Sequence, residues 1–161
     1  TGFGLIGNAY VRMGELDNAV ILLSAAINMR RELANEHPAD VKFAILLSAA
    51  QLATGDAFAA RHDLASALVQ FDEAYRLRLA ISAAAPDSPA RLNEVVEMAS
   101  RIGYLYYLRG LSAIGDYYFN QALDGAYLLV KMRPDREDYR GAVKALKRHY
   151  EWNKLSLGKI Q

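Results

Sequence analysis

The chain opens on a stretch with the spacing of a cofactor motif: Gly2, Gly4 and Gly7 stand in the order G-x-G-x-x-G. In dinucleotide-binding enzymes these glycines follow a strand and open a helix, where the backbone closely approaches a pyrophosphate. Only Thr1 precedes the motif in this sequence, and only Gly7 recurs at a regular spacing further along. We therefore expect no nucleotide cofactor, and we predict a packing role for Gly7.

Histidines and carboxylates are the other residues that could do chemistry, and their spacing favours neither catalysis nor metal binding. The histidines, His37, His62 and His149, are scattered, and Asp63 beside His62 would not face it on a helix. Because the chain has no cysteine, thiolate nucleophiles and cysteine-ligated zinc are excluded. These residues predict a protein that is not an enzyme and that holds no metal or cofactor.

The composition favours one all-α domain. The 161 residues are 53% hydrophobic and 23% charged, with four prolines, and this length suits a single core. Abundant Ala and Leu favour helix. The absence of cysteine fits a reducing compartment, so we expect a cytoplasmic location. The longest mostly apolar stretch, residues 44–53, is too short to span a bilayer, so no membrane segment is predicted.

Charge is distributed unevenly along the chain. The net charge is −4 over residues 1–130 and +5 over residues 131–161. A nucleic-acid-binding domain generally has a larger basic excess. The basic end is therefore interpreted as the solvated face of a last helix, and no nucleic-acid partner is predicted. Because the chain begins without Met, we expect it to be part of a longer protein.

The same residue types return every 48 residues. Pro38, Pro86 and Pro134 have this spacing, which is typical of a repeat architecture. The same shift superimposes Gly7, Gly55 and Gly103; Tyr10, Phe58 and Tyr106; Gly14, His62 and Gly110; Ala19, Ala67 and Gly115; Leu23, Phe71 and Phe119; and Ala26, Ala74 and Ala122. Small residues mostly coincide with small ones and aromatic residues with bulky ones. The chain therefore contains three copies of one unit.

Each copy has the pattern of two helices. Apolar residues recur at intervals of three and four on both sides of a short break at Gly14, His62 or Gly110. The second helix of each copy ends before the repeating proline, which cannot continue a helix interior. The pattern predicts seven helices, in repeats over residues 1–37, 38–85 and 86–133 and a final helix over 134–157.

Two further expectations follow from this register. Small residues such as Gly103 and Gly115 would let two antiparallel helices cross closely, because a larger side chain would hold the backbones apart. Asp87 and Asp135, directly after their prolines, are predicted to cap the next helix or to lie in its first turn.

The stretches IGNAYVRMGELDNAVILLSAA, TGDAFAARHDLASALVQFDEA and IGYLYYLRGLSAIGDYYFNQA resemble tetratricopeptide repeats. The family's order of small residue, Tyr, Gly, Ala, aromatic and Ala is matched by the sets above, with departures at Thr54, His62 and Gly115. The long unit is similar to the extended repeats of kinesin light chains and of large bacterial signalling proteins. The resemblance implies an α-α superhelix of three helix pairs, closed by the last helix as a polar cap.

The resemblance also implies a binding site, because the first helices of such repeats line a concave groove that binds peptides. The predicted groove residues are Asn8, Asp56, Arg101, Tyr104, Tyr107, Arg148 and Trp152, with Ser100, His149 and Leu155 beside them. Along the chain this groove would change from small and acidic to aromatic and basic. The implied function is binding of a protein or peptide as a scaffold or regulatory module of a larger signalling protein.

Two alternatives to this site were weighed. A carboxylate clamp, as in some family members that bind chaperone tails, fits Asn8 but not Gly4, Ala53 or Ser100. A structural role stays open, in which the exposed N-terminal helix stacks on another chain to form a homo-oligomer. In that case the groove aromatics would pack on neighbouring helices and would bind no peptide.

Overall fold

A computed structural model describes residue 10 and residues 14–157, and every regular element in that part of the chain is a helix. The six helices are α1 Leu16–Glu36, α2 Val41–Ala60, α3 Leu64–Ala83, α4 Pro89–Leu108, α5 Ser112–Met132 and α6 Glu137–Leu157. The all-α prediction is confirmed. The first predicted helix lies outside the described residues, together with Asn8 and the N-terminal surface proposed for a homo-oligomer.

The helices belong to two compact units, Thr1–Ile81 and Ser82–Gln161. The first unit holds α1, α2 and most of α3, and the second holds α4, α5 and α6. In the first unit α1 packs on α2, and in the second α5 packs on both α4 and α6. Consecutive helices therefore pack against one another, as the repeat pattern predicts.

The short turn within each predicted helix pair has the same backbone geometry at three positions 48 residues apart. Gly14, His62 and Gly110 have φ values of 79°, 61° and 72°, which is the left-handed conformation. The next amide in each case donates to a carbonyl five residues back, namely Glu15 N to Tyr10 O, Asp63 N to Phe58 O and Leu111 N to Tyr106 O, at 2.9 to 3.0 Å. These hydrogen bonds confirm the predicted breaks and their register.

We expect His62→Gly to raise the free energy of unfolding by about 0.5–1 kcal/mol. A side chain with a Cβ is strained by about 1–2 kcal/mol in the left-handed conformation, and the greater freedom of glycine in the unfolded chain offsets part of the gain. Conversely, Gly110→Ala should lower the free energy of unfolding by about 1 kcal/mol. An added Cβ at Gly110 meets nothing within 4 Å, so backbone strain alone is tested. Urea denaturation measures both variants, and shifts of the same sign would contradict this account.

The long turns follow the repeat as well, but two predicted helix caps are wrong. The residue before α4 is Ser88, so Asp87 lies outside the cap position. Asp135 lies two residues before α6 and pairs with Arg133, whose Nη2 is 2.7 Å from Asp135 Oδ2. This hydrogen bond holds the pKa of Asp135 at about 2. The acid therefore orders the turn after Pro134 instead of capping α6.

Helices cross closely at glycines that are equivalent in the repeat. A Cβ added at Gly55 would lie 2.5 Å from Phe71 Cε1, and one added at Gly103 would lie 2.8 Å from Phe119 Cδ2. Each of these separations is shorter than carbon atoms tolerate without bonding. The prediction that small residues permit a close crossing is confirmed, with a phenylalanine filling the space beside each glycine.

The outer face of α6 has the character expected of a terminal helix. In α4 the residues that pack on α5 include Val96, which touches the place of a Cβ at Gly125, and Tyr107, which does so at Gly115. The positions 48 residues later in α6 are Lys144 and Leu155, and Arg140 and Glu151 lie at the corresponding neighbours; all four are exposed. This mostly charged face fits the predicted cap, since a repeat array needs a polar outer face at its end.

Asn153 is a buried polar residue of α6 whose replacement should stabilise the protein. It is 1% exposed, and neither amide atom has a hydrogen-bond partner within the described part of the chain. A buried amide without a partner costs about 1–3 kcal/mol. Because Leu105 is buried at the equivalent position of α4, Asn153→Leu should raise the free energy of unfolding by about 1–2 kcal/mol. Asn120→Leu, at an exposed site, is the control for denaturation and should change it by less than about 0.5 kcal/mol.

By length and composition α2 is apolar enough to cross a membrane, and it is longer than the predicted apolar stretch of residues 44–53. Buried core helices of soluble proteins meet the same criteria. Three of its buried residues are polar, and the side chain of Gln51 donates to Glu73 Oε2 of α3 at 2.6 Å. Thr54 donates within the helix to Ala50 O at 2.8 Å. These contacts are those of a helix that packs on its neighbours, and the absence of a membrane segment stays a prediction.

Candidate functional site

A pocket of about 640 Å³ lies in the second unit, between α4, α5 and α6. It is lined by Glu97, Ser100, Arg101, Tyr104, Phe119, Arg148, His149 and Trp152. Its volume falls in the range of about 300–1,000 Å³ that is usual for ligand sites. We call it the α4–α6 pocket.

The walls of the α4–α6 pocket come from two helices that run in the same direction. The Gly103 side of α4 faces Gly115 of α5, and Phe119 of α5 lies 5.8 Å from Tyr150 of α6 between ring centroids. Because α5 runs antiparallel to each of its neighbours, α4 and α6 are parallel. Residues 48 positions apart therefore occupy equivalent places on the two walls.

On α4 the lining residues share one face because of their helical spacing. Glu97, Arg101 and Tyr104 stand at i, i+4 and i+7, and Ser100 lies between them. On α6 the same periodicity places Trp152 four residues after Arg148. Tyr104 is 44% exposed and Trp152 is 57% exposed. Two large aromatic side chains are thus held on a helical framework with much of their surface open to a ligand.

The base of the pocket is Phe119, which is 1% exposed. Its ring lies 5.7 Å from the ring of Tyr107 and 5.8 Å from that of Tyr150. A Cβ at Gly103 would meet the same ring. Phe119 therefore fixes the spacing of α4 and α6 and presents an apolar surface to the pocket.

The pocket has more basic than acidic groups. It contains the guanidinium groups of Arg101 and Arg148 and the imidazole of His149, against the single carboxylate of Glu97. Glu97 already accepts a hydrogen bond from Asn93 Nδ2 at 2.7 Å. Arginine beside aromatic rings favours ligands that carry carboxylates, because the guanidinium can donate two parallel hydrogen bonds to one carboxylate.

Four of the predicted groove residues lie around the pocket, and three do not. Arg101, Tyr104, Arg148 and Trp152 line it, together with the flanking residues Ser100 and His149. Asp56 is an exposed residue of α2 in the first unit. Asn8 lies outside the described residues. Tyr107 is buried elsewhere.

Tyr107 packs inside the α4–α5 pair and does not face the groove as predicted. It is 2% exposed, and its hydroxyl donates a hydrogen bond to Asp116 of α5. Burial, with this hydrogen bond to a carboxylate, raises the pKa of Tyr107 above its usual value. Its spacing explains the correction, since Tyr107 lies four residues after Gly103 and shares the face of α4 that packs on α5.

Glu97 and Phe119 are lining residues that the sequence prediction did not include. Glu97 lies four residues before Arg101, so helical spacing alone could have placed it on the same face. Phe119 was assigned to the core through its equivalence with Leu23 and Phe71, and it is indeed buried. Its second role depends on the separation of α4 and α6, which no local pattern shows.

Among the described residues no group of three His, Cys, Asp or Glu side chains could hold a metal ion. The arrangement is suited to binding, because its aromatic and cationic groups surround an open space. No model of a known protein family matches the chain, and no curated protein matches it. The assignment of repeats therefore depends on the 48-residue register of the chain itself, which recurs in its turns and helix crossings.

Proposed function

We propose that the chain is a peptide-binding module of the tetratricopeptide type, which holds an acidic segment of a partner protein in the α4–α6 pocket. The observation that carries this proposal is the meeting of Arg101, Tyr104, Arg148 and Trp152 at one pocket. Such a module would serve as a scaffold or regulatory part of a larger cytoplasmic protein. The proposal treats the site as non-catalytic.

Aromatic and arginine side chains contribute much of the binding energy at protein interfaces. Tyr104 and Trp152 offer rigid apolar area, and they are equivalent residues on parallel helices, so a peptide between them would contact both. Among the described residues Arg148 has no hydrogen-bond or ion-pair partner. A partner carboxylate could therefore pair with Arg148 without breaking an internal contact.

We expect Tyr104→Ala combined with Arg148→Ala to weaken peptide binding at least tenfold, which corresponds to about 1.4 kcal/mol. The peptides would be selected on the wild-type protein from a random displayed library, in which enrichment of Asp and Glu is expected. Dissociation constants would then be measured through the emission of Trp152, the single tryptophan. Both substituted side chains are exposed, so thermal unfolding should be unchanged.

The control replaces a tyrosine and an arginine that are exposed in the same unit but lie outside the pocket. Tyr117 is 57% exposed and Arg109 is exposed at the end of α4. Tyr117→Ala with Arg109→Ala should leave the dissociation constants unchanged. Selected peptides that bind the pocket double variant as tightly as the wild type, without a change in Trp152 emission, would place the site elsewhere.

A further inference from the structure

Both walls of the groove continue beyond the α4–α6 pocket with an exposed leucine. Leu108 lies four residues after Tyr104 on α4 and is 45% exposed. Leu155 lies three residues after Trp152 on α6 and is 66% exposed. Residues with these spacings share one helix face. Each wall therefore presents a cation, then an aromatic ring, then a leucine, in the same direction along two parallel helices.

The turn that follows Leu108 adds another exposed leucine at a position that is polar elsewhere. Leu111 is the N-cap residue of α5, has no capping hydrogen bond and is 41% exposed. At the equivalent position before α3, Asp63 Oδ1 accepts a hydrogen bond from Ser66 N at 3.1 Å. The second unit thus lacks a stabilising cap and exposes an apolar side chain instead. Stability does not explain this exchange, whereas contact with an apolar ligand does.

We propose that the groove takes a peptide segment that is acidic at one end and aliphatic at the other. The acidic end lies at Arg101, Arg148 and His149, and the aliphatic end lies at Leu108 and Leu155. This inference rests on the proposed peptide-binding function and adds the order of the ligand's groups. Arg101 and Leu108 are seven residues apart, or about 10 Å along a helix. An extended peptide covers this distance in about three residues.

Charge complementarity supports a peptide of this chemistry as the occupant. Two guanidinium groups and an imidazole lie at one end of the groove, with Glu97 as the only carboxylate lining the pocket in the described part of the chain. At the other end the groove faces are leucines, without a charged residue between Tyr104 and Leu108 on α4. An acidic peptide without aliphatic residues would leave these leucines in water, and an uncharged aliphatic one would leave the arginines unpaired.

The test uses three acetylated and amidated octapeptides: GDDGSLLG, GDDGSSSG and GNNGSLLG. Their dissociation constants would be measured with the wild-type chain, with Leu108→Ser combined with Leu155→Ser, and with Leu128→Ser as a control. Leu128 is 46% exposed on α5 and lies outside the pocket. For the wild type we expect GDDGSLLG to bind at least tenfold more tightly than either other peptide.

The double leucine variant should lose the preference for GDDGSLLG over GDDGSSSG, while Leu128→Ser keeps it. If GDDGSLLG and GDDGSSSG bind the wild type equally and GNNGSLLG binds less tightly, the aliphatic end is overturned and the acidic peptide site stands. If none of the peptides binds, both the inference and the proposed function are overturned.

Two other occupants are separated by the same materials. Octanoate carries a carboxylate and an aliphatic chain, so competition by octanoate at the peptide's own dissociation constant would assign the groove to small amphipathic acids. Self-association of the wild type in sedimentation experiments, abolished by the double leucine variant, would assign the leucines to a second copy of the chain. Either result would overturn the peptide assignment.

Discussion

Replacing Gly103 by leucine is expected to lower the free energy of unfolding by about 1–3 kcal/mol. The first added carbon would lie 2.8 Å from Phe119 Cδ2 and 3.1 Å from the backbone oxygen of Gly115. A ring can rotate, but a backbone oxygen within α5 moves only with its helix. The larger side chain must therefore separate α4 from α5, and the cost is paid in lost packing along the pair. Urea denaturation followed by circular dichroism measures the loss.

The same substitution at Gly141 is the matched control, with the opposite expected sign. Gly141 lies in α6, and an added Cβ there meets nothing within 4 Å. Because leucine favours helix over glycine, Gly141→Leu should raise the free energy of unfolding by about 0.5–1 kcal/mol. If both variants shift stability in the same direction, the close crossing at Gly103 does not exist in solution.

Phe119→Ala should have the largest effect, a loss of about 3–5 kcal/mol in the free energy of unfolding. The ring is 1% exposed and lies between Gly103, Tyr107 and Tyr150. Its removal leaves a cavity at the centre of the three helices of the second unit. Because the ring is also the base of the α4–α6 pocket, we expect the same variant to lose peptide binding.

Phe119→Leu tests whether the loss follows the size of the missing side chain. Leu23 occupies the equivalent position in α1, where it is 1% exposed, so leucine suits this kind of site. The loss should be about 1–2 kcal/mol, well below that for alanine. Equal losses in the two variants, measured by urea denaturation, would mean that Phe119 is not the packing centre of the unit.

Much of the fold follows from residues that can be recognised in the sequence. A left-handed turn favours glycine, so Gly14 and Gly110 mark breaks, and the register carries the assignment to His62 although histidine alone does not predict it. The close crossings follow in the same way, because Gly55 and Gly103 stand at one repeat position with a bulky residue sixteen positions later in each case.

Other features depend on three-dimensional packing that local patterns do not contain. Tyr107 was placed with Tyr104 in the groove, although a shift of three residues on a helix is enough to move a side chain to the next helix. Nor does the sequence show that Asn153 is buried without a partner, because that depends on how closely α6 packs on α5. The pocket itself needs the distance between α4 and α6, which Phe119 sets.

The most direct test of the central claim, that the α4–α6 pocket binds an acidic peptide, is the indole N–H resonance of Trp152 in a proton–nitrogen correlation spectrum. The chain has one tryptophan, so a single indole resonance reports on the pocket without labelling any ligand. On titration with GDDGSLLG, this resonance should shift until it saturates, and Arg148→Ala should raise the dissociation constant obtained from it. A resonance that stays in place while other resonances of the protein shift to saturation would show that the peptide binds elsewhere, and would contradict the claim.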